Sequence, residues 1–223
     1  MLACRLVSIR EVALDIVDPS IDRYLHELAS PDDPVLREME LLAAERSFPI
    51  VGPQVGRLLH LLALGVGARR VIELGSGFGY SAYWFAQAVG PEGEVILTEG
   101  SEEQAAEAAS FLSRGGFSDR VRIEVGDGLE VIDRVGGQFD IVFNDIDKED
   151  YPKVFEPAAA ALRPGGLLIS DNMLWFGTVL DERPSEPSTL GVKELTRLLY
   201  ESDDFHTVLL PVRDGVTVSI YGA

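Results

Sequence analysis

The chain has 223 residues, a length that suits one ordinary domain with a sizeable core. Its 37 acidic and 19 basic residues give a formal net charge of −18. That field repels phosphate backbones and anionic lipid, which argues against a nucleic-acid binder and against a membrane-surface protein. Residues 1–18 mix short apolar stretches with charges and show no clear element. Helices are predicted over 19–30 and 34–47. Pro34 suits a first helical turn behind Asp32 and Asp33, and Leu36, Met39, Leu42 and Ala43 fall at helical spacing. Pro49 and Gly52-Pro53 break the chain before an amphipathic helix over 54–65. From Val71 the rhythm changes to strands at 71–74, 94–98, 121–125, 139–143 and 166–170. Helices at 81–89, 102–115, 128–135 and 151–162 lie between them.

Such alternation predicts an α/β fold, a Rossmann-like doubly wound parallel sheet covered on both faces. The end of the chain departs from it. A helix over 192–202 leads to strands at 206–212 and 216–221, joined by Arg213-Asp214-Gly215, with Asp-Gly as the turn. A doubly wound sheet that closes on a hairpin must contain one antiparallel strand. There is no internal repeat and no low-complexity linker. The expectation is a single domain over 1–223, with residues 1–50 as an N-terminal helical extension and 51–223 as the core.

The single cysteine, Cys4, can form no internal disulfide and anchors no cysteine metal site, which fits a cytoplasmic protein. No apolar run approaches 18 residues. Arg5, Arg10 and Glu11 interrupt any signal-peptide core. Only three lysines occur (Lys148, Lys153 and Lys193), against sixteen arginines. Many acids with few lysines point to a halophilic protein, because molar salt screens acid–acid repulsion to a Debye length of about 3 Å.

The turn after the first strand reads Glu73-Leu74-Gly75-Ser76-Gly77-Phe78-Gly79-Tyr80-Ser81. Glycines there let the backbone turn tightly and approach a ligand. Their G-x-G-x-G spacing differs from the dinucleotide G-x-G-x-x-G, which disfavours a nicotinamide-dependent oxidoreductase. Glu99 lies just after the second strand, 20 residues beyond Gly79, where a carboxylate can accept ribose hydroxyls. Asp127-Gly128 follows the third strand; Asp127 either borders an adenine or caps the next helix. In this glycine loop, this acid and the terminal hairpin, the chain resembles the class I S-adenosylmethionine-dependent methyltransferases.

Two further segments narrow that resemblance. The fourth strand ends in Phe143-Asn144-Asp145-Ile146-Asp147-Lys148, and the fifth in Ser170-Asp171-Asn172-Met173-Leu174-Trp175-Phe176-Gly177. In open α/β sheets ligands bind at the carboxyl ends of the strands. Asp145, Asp171 and Asn172 can converge there as three oxygen ligands, a set that suits a hard cation such as Mg²⁺. Taken singly, Asp145 and Asp171 could equally cap helices. Together the segments resemble the cation-dependent O-methyltransferases, the group that includes caffeoyl-CoA and catechol O-methyltransferases. The resemblance runs from about Pro34 to the C-terminus. It implies metal ligands at Asp145, Asp171 and Asn172, with Lys148 as catalytic base beside Asp145. It implies cofactor contacts at Val51, Glu73, Gly75, Gly77, Gly79, Ser81, Glu99, Gly100, Asp127, Gly128 and Asp145. It puts Lys148, Asn172 and Trp175 in the acceptor pocket.

Lys148 has a physical argument of its own. Arginine does not deprotonate near neutral pH, so a base in this arginine-rich chain must be lysine. Asn144 and Ile146 depart from the small residues common at their positions, which makes the acceptor harder to transfer. The expected reaction is methyl transfer from S-adenosylmethionine to a hydroxyl of a small vicinal diol, with Mg²⁺ as second cofactor and a homodimer as assembly. An enzyme acting on nitrogen would favour an N/D-P-P-Y/F motif where Asn144-Asp145-Ile146-Asp147 stands. A non-catalytic cofactor-binding module would not need the Asp/Asp/Asn/Lys set.

Overall fold

A computed structural model describes residues 16–222. Most of the uncertain segment 1–18, with Cys4, lies outside the described residues. Three helices come first: α1 (Pro19–Ala29), α2 (Pro34–Arg46) and α3 (Gly52–Gly65). Asp18 and Asp33 cap α1 and α2, each accepting a backbone N–H two residues on. Strands and helices then alternate: β1 (Arg70–Leu74), α4 (Tyr80–Ala88), β2 (Glu94–Glu99), α5 (Glu102–Arg114), β3 (Val121–Val125), α6 (Gly128–Val135) and β4 (Phe139–Asn144). A 3₁₀ turn (Lys148–Val154) leads into α7 (Phe155–Ala161) and β5 (Leu162–Ser170). After a second 3₁₀ segment (Trp175–Leu180) come α8 (Pro187–Glu201), β6 (Phe205–Leu210) and β7 (Val216–Tyr221).

The seven strands form one sheet in the order β3-β2-β1-β4-β5-β7-β6. β7 runs antiparallel to both β5 and β6, as the terminal hairpin required. Side-chain alternation along the strands sorts the core into two layers. Val71, Val95, Ile141 and Leu167 face α2 to α5. Their neighbours Ile72, Ile96, Val142 and Leu168 face α6 to α8. α1 packs on α3 outside the first layer. No described helix is long and apolar enough to cross a membrane.

Four boundary differences from the sequence expectations lie at prolines. The helix expected over 151–162 is a 3₁₀ turn that carries Pro152 followed by the short α7; Pro152 has no N–H for an α-helical bond. The helix expected from 192 begins at Pro187, and the one expected from 54 begins at Gly52, with proline in the first turn of each. The strand expected from 166 reaches back to Leu162, across a register shift between Phe139 and Ile141 that accommodates Pro164 and Gly165.

Strand order reverses between β1 and β4, the switch point at which an open α/β sheet leaves a crevice. The register levels the strand ends around it. Leu74 pairs with Asn144, Asn144 with Ser170, and Ser170 with Thr217. The segments leaving β1, β4 and β5 therefore emerge side by side.

Candidate active site

A cavity of about 940 Å³ opens at these strand ends. One half is built on the glycine loop. Gly75 has φ of +77°, and a Cβ there would lie 2.7 Å from the carbonyl oxygen of Asp145. Only glycine lets the loop lie this close to the end of β4. Thr98 ties the loop down: its hydroxyl donates to the Glu73 carbonyl and accepts the Gly75 N–H at 3.1 Å. Glu99 accepts the Gly77 N–H at 2.7 Å through one oxygen and the Ser101 N–H at 2.8 Å through the other. Each oxygen keeps a second lone pair for a ligand hydroxyl. Asp127 both lines the cavity and caps α6, accepting the Leu129 N–H at 2.7 Å. Its two suggested roles are thus compatible.

The other half is acidic. The Asp145 N–H is bonded to the Leu74 carbonyl and the Asp171 N–H to the Asn144 carbonyl, which fixes both residues at strand ends. Lys148 Nζ lies 2.7 Å from Asp145 Oδ1 and also donates to the Ile146 carbonyl. It sits 5.1 Å from the Tyr151 ring and 5.7 Å from the Trp175 ring, where the ring faces favour a cation. Asp171 is buried, and its Oδ1 has no hydrogen-bond partner. Burial pushes the Asp145 carboxyl up, opposed by Lys148; burial and the Asp145 charge push Asp171 up. A bound cation is the kind of partner that reverses both effects. Asp145, Asp171 and Asn172 all line this end. Their oxygen donors and the unpartnered Asp171 Oδ1 fit a hard divalent ion. Among the described residues no group of three His, Cys, Asp or Glu side chains forms a metal site; this set has two carboxylates and an amide.

Val51, Gly75, Gly77, Ser81, Glu99, Gly100, Asp127 and Gly128 all line the cavity, as do Asp145, Lys148, Asp171, Asn172 and Trp175. Two predicted residues do not face it. Gly79 has φ of +87° at the start of α4 and packs towards Ala108 and Leu97. Glu73 is completely buried behind the loop, where its carboxylate accepts from the hydroxyls of Ser76 and Ser81. Burial pushes its carboxyl up to about 8, against those two hydrogen bonds. Its placement is that of a loop brace.

Several residues in or behind the cavity escaped the sequence reading. Tyr151 is buried beneath the acids and donates its hydroxyl to the Asp171 carbonyl at 2.8 Å. Gly191 in α8 has no room for a side chain, because a Cβ would lie 2.0 Å from the Lys148 carbonyl oxygen. Phe48, Ile50, Phe176 and Arg213 line the cavity itself. Phe176 stands in the motif after β5 and Arg213 in the hairpin turn, but Phe48, Ile50, Tyr151 and Gly191 belong to no motif, and only the folded chain brings them to the site.

The comparisons with known proteins agree with this geometry. The O-methyltransferase family model matches residues 26–220. A catechol O-methyltransferase of Niastella koreensis is 33% identical over 186 residues, covering 81% of this chain and 84% of that protein. One of Mycobacterium tuberculosis is 35% identical over 167 residues, covering 74% and 76%. The crystal structure of an O-methyltransferase from Bacillus cereus in complex with SAH superposes with a TM-score of 0.83 at 30% identity, covering 91% of this chain and 97% of that one. The chain belongs to the O-methyltransferase family, and it is an S-adenosylmethionine-dependent enzyme of that family.

Proposed function

We propose that the acceptor is a vicinal diol of the catechol type, and that the acidic end of the cavity holds it on a divalent cation, Mg²⁺ being the best match to the ligands. The observation that carries this reading is the meeting of Asp145, Asp171, Asn172 and Lys148 at one end of the cofactor cavity, with Asp171 Oδ1 unpartnered. The names of the two bacterial relatives support the acceptor class.

Asp145, Asp171 and Asn172 would hold the ion, which when bound supplies Lewis-acid polarisation and lowers the pKa of an acceptor hydroxyl. Glu99 and the loop N–H groups orient the nucleoside, and Val51 and Ser81 border the methionine end. Asp145 holds the Lys148 amine beside the acceptor, and Lys148 in its neutral form accepts the hydroxyl proton. The acceptor oxygen then displaces the methyl in line. The O–C bond forms as the C–S bond breaks, leaving a methyl ether, S-adenosylhomocysteine and a protonated Lys148. The protein's part is largely positioning.

The test is turnover of a panel of vicinal diols with Mg²⁺ or with EDTA. Loss of activity in EDTA and its return with Mg²⁺ is expected. Activity that survives EDTA sinks the cation role, and a panel with no turnover sinks the acceptor class. The assembly is testable separately. α1 exposes Ile21, Tyr24, Leu25 and Leu28, and α3, which it packs on, exposes Leu61 and Leu64. This much exposed apolar surface supports a homodimer, to be read by light scattering.

A further inference from the structure

A second groove, about 520 Å³, adjoins the acidic end of the cavity and shares Phe176, Arg213 and Asp214 with it. Its outer wall is α1, which contributes Arg23 and His26. In a chain of net charge −18 this concentration of basic groups is unusual. Eight described arginines are ion-paired to carboxylates, and Arg57, Arg69, Arg120 and Arg183, outside the groove, are not. Among the described residues, Arg23, His26 and Arg213 have no such partner. Arg213 spends one N–H on the Ile50 carbonyl, at 2.8 Å, out of the five that a guanidinium carries.

The acids of the groove are turned to other work. Asp22 accepts from the Gln54 amide at 3.0 Å, and Asp214 Oδ1 accepts the Phe176 N–H at 2.6 Å. The remaining oxygen of Asp214 is buried. Arg23, His26 and Arg213 thus line the groove beside Phe176, which it shares with the main cavity, and the Arg213 guanidinium also packs over Gly52.

The backbone supports a functional reading. Outside glycine, five described residues have positive φ, and four of them line the main cavity: Asn172 (56°), Trp175 (43°), Phe176 (54°) and Arg213 (49°). Such conformations cost on the order of 1–3 kcal/mol each and gather at ligand clamps. At Arg213 the cost is avoidable by glycine, yet the chain carries a guanidinium there.

We propose that this groove is a subsite for an anionic substituent of the methyl acceptor, with Arg213 and Arg23 as its specificity-determining residues. The inference rests on the catechol-type reading above and refines it: the preferred substrates are dihydroxyaryl carboxylic acids. The diol lies at the acidic end, the ring against Phe176 and Trp175, and the carboxylate at the guanidinium groups, which suit it by planar, charge-assisted hydrogen bonding.

The test compares 3,4-dihydroxybenzoate and 3,4-dihydroxycinnamate, each with its primary amide, at low salt. Two quantities are read: kcat/KM, and the dissociation constant by calorimetry with S-adenosylhomocysteine and Mg²⁺ present. At least one acid is expected to exceed its amide about tenfold in both. That ratio should fall towards unity in Arg213→Gln, and in Arg213→Gly, which also relieves the backbone and so should melt no lower than the wild type. Arg23→Gln should reduce it severalfold. Amides that equal their acids, or a preference that survives Arg213→Gln combined with Arg23→Gln, overturn the subsite. Turnover of both members of a pair without preference leaves the catechol reading standing and removes this one. Selective binding of the acid without turnover of any diol keeps the subsite and removes the catechol reading.

Discussion

The two halves of the cavity are built to opposite rules. In the cofactor half polar groups are paired within the protein. Thr98 bridges Glu73 and Gly75, Glu99 takes two backbone N–H groups, and Glu73 takes two hydroxyls. In the acceptor half Asp171 Oδ1 and Asp214 Oδ2 are buried without partners, and four non-glycine residues hold positive φ. A paired network fixes a shape before the ligand arrives, whereas unpaired groups and strained backbone are stable only if something else repays them. The first half holds one unchanging cofactor in a fixed frame. In the proposed reading, the second is kept high in energy so that cation and acceptor would gain most from binding there.

That contrast predicts which property each substitution disturbs. The largest effect belongs to Lys148→Met. It removes the proposed base while the side chain still packs between Tyr151 and Trp175, so kcat should fall about 10²- to 10⁴-fold. Cofactor affinity, read by calorimetry, should stay within about threefold, because Lys148 lies in the other half. Comparable losses in both quantities would break the division. Glu99→Gln is the mirror case. It keeps shape but loses the charge that receives the Gly77 and Ser101 N–H groups and, by the present reading, the ribose. Cofactor affinity should weaken about 10- to 100-fold, as for hydrogen bonds to a charged group, with a smaller change in kcat at saturating cofactor.

Gly191→Ala reaches the acceptor half from behind. A methyl group cannot share space with the Lys148 carbonyl at 2.0 Å, so α8 or the 3₁₀ turn must move. Overpacking of this kind costs about 1–3 kcal/mol of stability. The shift passes to the Lys148 amine, and kcat should drop about tenfold, since small misplacements of catalytic groups are expensive. An unchanged kcat in a destabilised protein would show that Lys148 tolerates its backbone moving.

The same contrast explains what could be read from the chain alone. Strand–helix alternation and the Asp-Gly hairpin specify the sheet order, because right-handed crossovers and a closing hairpin leave few topologies. The glycine loop, Glu99, Asp145, Asp171 and Lys148 are contiguous with strand ends, so their positions follow from the strands. Arg213, Tyr151, Gly191 and Phe48 come from four separate segments and reach the site or its backing only through packing. Glu73 shows the limit within a motif. Its place in the sequence marks it as part of the loop, but the pleat of β1 turns it inward, away from the cavity. Prolines mark the boundary errors: Pro53 read as a break and Pro187 fell outside the expected helix, yet each lies in a first helical turn, while Pro152 sat inside an expected helix that it turns into a 3₁₀ segment.

Glu73 also supplies the smallest and cleanest test of the frame half. Its carboxyl is raised to about 8 by burial, while an unfolded glutamate titrates near 4.3. Between those values the folded protein holds a proton that the unfolded chain has released. Stability must therefore fall as pH rises through that window, and level off above it. Glu73→Gln keeps the size and the hydrogen-bonding capacity towards Ser76 and Ser81 but cannot titrate. Denaturant titrations of both proteins at pH 5, 6 and 7 should diverge, the variant gaining on the wild type by about 1 kcal/mol per pH unit. Subtraction removes the pH dependence of the other acids, which the two proteins share. A flat difference would mean that the two hydroxyls and the loop dipoles hold Glu73 ionised despite its burial. The cofactor half would then contain a stored charge like the acceptor half, and the contrast between them would lie only in the backbone.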